Sequence, residues 1–413
     1  MNENKPLKIV CIGGGTGLST LLRGFKEYVK SHQDGVVDLS ELTAIVSVSD
    51  DGGSSGRLIK EYDTLPPGDM RKCLLALADE DIEPLMSQFL DYRFNKGENE
   101  LLAGHSAGNL ILISLLQINK GDLKKSILDI SNLLSIKGNI LFPTLEPTTL
   151  YARLTNGSVV RGQSQIPMRQ NLYPIESVFL SPRKLKKNIK SNFEPMEDSV
   201  EAIKRADVII LGPGSLYTSI IPNLLVGGIS DAIKESKASK IYICNIMTEP
   251  GETDDYSVAN HVEAIRKHGK FNIDLVIANK ERIKKQYLRQ YATEKLVREY
   301  EIIKKSLEDA IRNSHEDAVD TCKLVEDIDR HARRLEYLSR DIRKISDESI
   351  QVIFNPKKDN MGKSKLYEIN AVEEVEIEED GIKKRVIRHD AKKLVKVLIK
   401  LIGERNKTVY TSK

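Results

Sequence analysis

Residues 7–19 read LKIVCIGGGTGLS, an apolar run from Leu7 to Ile12 that stops at a glycine loop. A short, almost unbroken apolar run of this kind suits a strand buried on both faces. The amphipathic stretch Thr20–Tyr28 follows it and predicts a helix, so strand, loop and helix open a βαβ unit. Leu42–Val48 repeats the pattern and also ends in a Gly/Ser loop. Ala206–Leu211, Ile241–Ile246 and Ile273–Ala278 add three more β-rich runs of buried-strand length. Five such strands predict an α/β fold built on a doubly wound parallel sheet.

Two stretches depart from that pattern. TLYARLTNGSVVRGQSQI, with Asn156-Gly157 as a type I′ turn signal, and the later IESVFLSP predict a small antiparallel β insertion over about 140–182. From Phe271 to Asn355 the chain has neither Gly nor Pro and is dense in charge. Leu296, Tyr300, Ile303 and Leu307 recur at helical spacing, as do Val325, Ile328, Ala332, Leu335, Ile342 and Ile345. A polar break at Asn313–Asp317 divides them. This reads as a charged helical hairpin near the C-terminus, with an apolar seam and solvated outer faces.

The chain has 413 residues, with 63 Lys+Arg against 60 Asp+Glu, a net charge of +3. At roughly 100–200 residues per domain it holds two or three units. The near-zero balance, with 5% aromatics and no Trp, argues against nucleic acid as the main partner. Cys11, Cys73, Cys244 and Cys322 are far apart and show no metal-ligand spacing. With no signal peptide and no apolar run of the ~20 residues a membrane helix needs, a cytoplasmic protein without a membrane span is expected.

The chemistry is expected in the loops at the strand ends. In Gly13, Gly14, Gly15, Thr16 and Gly17 the backbone can approach an anion closely at a helix N-terminus. The loop matches neither the Walker A pattern nor GxGxxG. At the end of the next strand, Asp50 and Asp51 can bind ribose hydroxyls or, through Mg²⁺, a phosphate. Gly52, Gly53 and Ser54 add donors there. In LPPGDMRK, Gly68 follows a rigid Pro-Pro turn and Asp69 is either a helix cap or a ligand contact. In AGHSAGNL, His105 and Asn109 are four apart, on one face of a helix. Gly212, Gly214 and Ser215 form a second glycine loop, and two such loops suit a diphosphate. NIMTEPGETDDYS, Asn245–Ser257, is another polar strand-end loop.

In this order, GGGTGLSTLLRGFK, VSDDGGSSGRL, PPGDMRKCLLALAD, GHSAGNL, LGPGSLYTSIIPNLL and NIMTEPGETDDYS closely resemble the gluconeogenesis-factor family (YvcK), a branch of the CofD-like superfamily. The resemblance covers about residues 7–295 and resumes near Arg388–Leu394. It implies a Rossmann-like cytoplasmic protein that binds UDP-sugars, notably UDP-N-acetylglucosamine, and is needed for cell shape and wall synthesis during gluconeogenic growth. It also implies that Tyr291 and Arg388 take part in nucleotide-sugar binding. Four positions depart from the family pattern: Met70 and Lys72 stand where Ile and Asn are usual, Gly227 where Pro is common, and Ala391 where Thr or Pro often follows the RHD motif.

The expected organisation is a core over 1–295, a charged helical insertion over 296–365 and a C-terminal segment, 366–413, that completes the core. A nucleotide-sugar-binding regulator acting through a protein partner, as a homo-oligomer and with no required cofactor, is the leading reading. A transferase of the phospholactyl or uridylyl type in the same cleft is the alternative. A nicotinamide-dependent oxidoreductase rests on fold position alone.

Overall fold

The computed structural model describes residues 5–79, 83–94, 101–169, 173–183, 193–313, 350–379 and 382–410, with positions 329, 332, 333 and 336. Strands β1 (Ile9–Gly13), β2 (Leu42–Val46) and β3 (Asn139–Leu141) come first. Strands β4 (Thr148–Leu154), β5 (Val159–Arg161) and β6 (Ile175–Pro182) form a separate antiparallel sheet in the order β5-β4-β6. Strands β7 (Val208–Leu211), β8 (Ser239–Ile243) and β9 (Leu275–Asn279) return to the main sheet, and β10 (Lys365–Ile369) closes it. Strands β11 (Val372–Glu379) and β12 (Ile382–His389) make an antiparallel hairpin.

The seven-stranded sheet runs β10-β9-β8-β7-β1-β2-β3 and every pairing in it is parallel. Ile9 pairs with Leu42 on one side and Val208 on the other. Successive side chains of β1 alternate faces: Ile9 and Cys11 enter one core, Val10 and Ile12 the other. Burial on both faces is what its unbroken apolar run requires. The strand order reverses between β1 and β7, which opens a crevice at their carboxyl ends.

Three expectations need correction. The β insertion begins after residue 141, because Asn139–Leu141 pairs with β2 in the main sheet. Its hairpin turn is not type I′. Gly157 alone takes a left-handed φ of 86°, while the Asn156 carboxamide accepts from the Ser158 N–H at 3.1 Å. The expected boundary at residue 295 falls inside a continuous helix, Lys285–Asn313. That helix buries Leu288, Ala292, Lys295, Glu299 and Ile302, whereas Tyr300 of the expected seam is exposed. Lys295 is tolerated inside because Asp255 and Asp254 lie 3.3 and 3.6 Å from its ammonium. Of the second arm of the expected hairpin Ala332 is described, helical but exposed; the rest of its seam, and the polar break beyond Asn313, lie outside the described residues.

Among the described residues no single helix is long and apolar enough to cross a membrane. The helix Gly15–His32 packs between the helix Pro67–Leu77 and the C-terminal helix Ala391–Tyr410.

Candidate functional site

The carboxyl ends of β2, β1, β7 and β8 open into a cavity of about 450 Å³. Its floor is made by the two glycine loops. They meet closely: a Cβ on Gly17 would stand 2.2 Å from the Pro213 carbonyl oxygen, so only glycine allows this approach. Gly14, Gly15 and Thr16 line the cavity from the first loop, and Gly214 and Ser215 from the second.

One wall is acidic. Asp50 leaves the end of β2 and its carboxylate accepts the Gly52 N–H at 3.1 Å. Asp69 does not cap the helix Pro67–Leu77, whose N-cap is Pro66. It lies inside the first turn, with its half-buried carboxyl against the Gly15 backbone. Burial, reinforced by the charge of Asp50, pushes the Asp69 carboxyl up to about 6. Lys72, 3.7 Å away, works in the opposite direction.

The facing wall comes from distant parts of the chain. Tyr291, on the helix Lys285–Asn313, accepts the Ile387 N–H at 3.3 Å and so fastens β12 over the cavity. The next residue, Arg388, lines the cavity beside Glu249. Ser215 donates its hydroxyl to Glu249 Oε1 at 2.9 Å. Glu249 Oε2 is closed off from solvent and has no hydrogen-bond partner. Burial pushes the Glu249 carboxyl up. Behind it, Glu252 accepts from the Thr218 hydroxyl at 2.7 Å, and burial together with Glu249 raises it to about 8.

A family model described as 2-phospho-L-lactate transferase CofD matches residues 9–312. The chain belongs to the CofD family. Among its relatives is the gluconeogenesis factor of Bacillus subtilis, 43% identical over 288 residues, which cover 70% of this chain and 83% of that one. That of Halalkalibacterium halodurans is 44% identical over 292 residues, again 70% and 83%. A relative from Clostridium acetobutylicum is 46% identical over 287 residues, but the match spans only 58% of that protein's length. A crystal structure from Bacillus halodurans, described as a UPF0052 family member, superposes at a TM-score of 0.69 and 34% identity. The superposition covers 94% of this chain and 98% of the other.

Several expected contacts of this CofD-family site lie outside its cavity. Gly13 ends β1, where its carbonyl accepts the Ser47 N–H, and Gly212 donates to Ile12, tying β7 to β1. Asp51 turns away and accepts the N–H groups of Gln163 and Ser164 at 3.0 and 2.8 Å. That bond holds the β insertion at the cavity edge and brings Gln163 into its lining. Gly52 and Gly53 begin the helix Gly53–Tyr62. Gly68 lies behind Asp50 and donates to the Ser55 hydroxyl.

His105 and Asn109 are not on one helix face, because the helix begins at Ala107 with Ser106 as its cap. They meet through Ser54, whose hydroxyl is 2.9 Å from His105 Nδ1 and 3.1 Å from Asn109 Nδ2. Burial, helped by the charge of Arg57, holds the His105 imidazole below its ordinary range. The trio fixes the helix Gly53–Tyr62 against the helix Ala107–Ile118. Sequence reasoning missed Lys72, Gln163, Glu249 and Glu294 as lining residues. Glu249 had a signal, since it lies in the polar strand-end loop Asn245–Ser257, but nothing there distinguishes it from its acidic neighbours.

Proposed function

We propose that the chain binds a nucleotide sugar of the UDP-N-acetylglucosamine kind in this cavity and acts as a regulator of carbon use and wall synthesis. The observation that carries the reading is the convergence of two glycine loops at the reversal of strand order, with Arg388 and Tyr291 opposite them. Backbone N–H groups at a helix start suit a diphosphate, and an Arg adds bidentate hydrogen bonds to phosphate. The acidic residues suit sugar hydroxyls. The relatives' name, gluconeogenesis factor, supports the physiological half. On this reading the protein works in the cytoplasm, with no required cofactor, as a homo-oligomer acting through a protein partner.

The family description favours a second reading, a transferase using the same cavity. Asp50 and Asp69 would then be the residues to hold Mg²⁺ together with ligand phosphates. Among the described residues no group of three or more His, Cys, Asp or Glu side chains is placed to hold a metal. Calorimetry with UDP-N-acetylglucosamine, GDP and NAD tests the first reading. Heat with the UDP-sugar alone is expected, weakened in Arg388→Ala; a folded protein silent to UDP-sugars would overturn it. Product formed from UTP and N-acetylglucosamine-1-phosphate, or transfer of a phospholactyl group, would establish the second.

A further inference from the structure

We propose that a nucleotide sugar lies across the strand ends in one direction, with the nucleoside at Asp50 and the distal sugar read by Glu249. The proposal rests on the nucleotide-sugar reading above and adds an orientation and a sugar-binding residue to it. The cavity is built in the order of the sheet. Asp50 follows β2, the two glycine loops follow β1 and β7, and Glu249 follows β8. From β2 to β8 is three strand spacings, about 14 Å. The glycine loops occupy the middle, so a diphosphate sits centrally and a sugar falls at each end.

The two ends share one chemistry, a carboxyl group whose oxygens accept from sugar hydroxyls. The backbone N–H groups of the glycine loops between them suit the phosphates. Glu249 has one oxygen committed to Ser215 at 2.9 Å and the other without a partner, which leaves a donor for the ligand to supply. Arg388 lines the same cavity, and its charge offsets that of Glu249.

Connectivity decides which sugar is which. β1, the first glycine loop, the helix Gly15–His32 and β2 follow one another as in the dinucleotide-binding arrangement. There the acidic residue at the end of the second strand takes the ribose. Asp50, in the loop four residues beyond the end of β2, is the first acidic residue after that strand. Glu249, on the other side of the glycine loops, is left with the distal sugar.

Calorimetry with UDP-N-acetylglucosamine and with UDP, on wild type, Glu249→Gln and Asp50→Asn, tests this. Glu249→Gln is expected to weaken UDP-N-acetylglucosamine by about tenfold or more, the loss of one hydrogen bond to a charged group, and to leave UDP within about twofold. Asp50→Asn is expected to weaken both by similar factors. Glu249→Gln weakening both ligands alike, or neither, would overturn the orientation while the nucleotide-sugar reading stood. A wild type that bound neither ligand would remove both. If Glu249→Gln melts early, Glu249→Asp decides, because it keeps the charge but withdraws the carboxyl from Ser215. The same selective loss is expected of it.

Discussion

The ammonium of Lys72 stands 3.7 Å from the carboxylate of Asp69, and both line the cavity that the glycine loops open. Asp69 carries a carboxyl lifted to about 6 by burial and by Asp50, and Lys72 opposes that lift. Lys72→Ala is therefore expected to drive the Asp69 carboxyl higher. It also removes a cation from an acidic wall, so affinity for an anionic nucleotide sugar should fall, by about tenfold at low salt. Calorimetry between pH 5.5 and 8 reads both effects. An unchanged affinity across that range would show that Lys72 faces no ligand charge.

Glu252 should shape the pH dependence of stability. Its carboxyl is held protonated up to about 8, against 4.5 for an exposed glutamate. Between those values the folded chain binds more protons than the unfolded chain, so stability falls as the pH rises through that window. Glu252→Gln keeps an acceptor for the Thr218 hydroxyl and removes the ionisation. The variant is expected to melt above wild type at pH 8 and beyond, with a shallower decline between pH 5 and 8. Parallel melting curves in the two proteins would assign the decline to other groups.

Ser54→Ala separates support from ligand contact. It strips a partner from both His105 and Asn109, which are buried. A loss of about 1–3 kcal/mol in stability is expected. The cavity does not include Ser54, so nucleotide-sugar affinity should stay within about twofold under folded conditions, a bound of roughly 0.4 kcal/mol. A large loss of affinity at unchanged stability would place Ser54 on the ligand.

Gly17→Ala probes the meeting of the two loops. The new methyl would overlap the Pro213 carbonyl, which belongs to backbone and cannot rotate away. A loss of about 3 kcal/mol is expected, at the upper end of overpacking costs, together with loss of ligand binding. Thermal melting and calorimetry on the same preparation check the pair of effects.

The parallel sheet was legible because its central strands are apolar runs closed by glycine loops, as in Leu7–Gly17 and Ala206–Gly214. β3 and β10 were not. Asn139–Leu141 is three residues long, and Lys365–Ile369 is an edge strand with mostly exposed side chains, so neither carries the apolar run that marks a buried strand. The glycine loops announced the cavity floor, and Asp50 its acidic edge. Asp51 has the same chemistry one residue later, yet its carboxylate is held by the Gln163 and Ser164 N–H groups of the β insertion. His105 and Asn109 showed helical spacing, but the Ser106 cap starts the helix between them. The buried face of Lys285–Asn313 escaped the apolar pattern because Lys295 and Glu299 belong to it.

β9 and β10 are hydrogen-bonded neighbours, with Leu275 opposite Lys365, although 90 residues separate that pair in sequence. Because the two strands run parallel, the chain leaves at the carboxyl end of β9 and has to cross back along the sheet before it enters β10. That connection carries Tyr291 and Glu294 on its first helix, and both line the cavity. Cavity and connection are therefore tied, since a change that shifts the helix Lys285–Asn313 carries Tyr291 off Ile387 and loosens the wall that β12 forms.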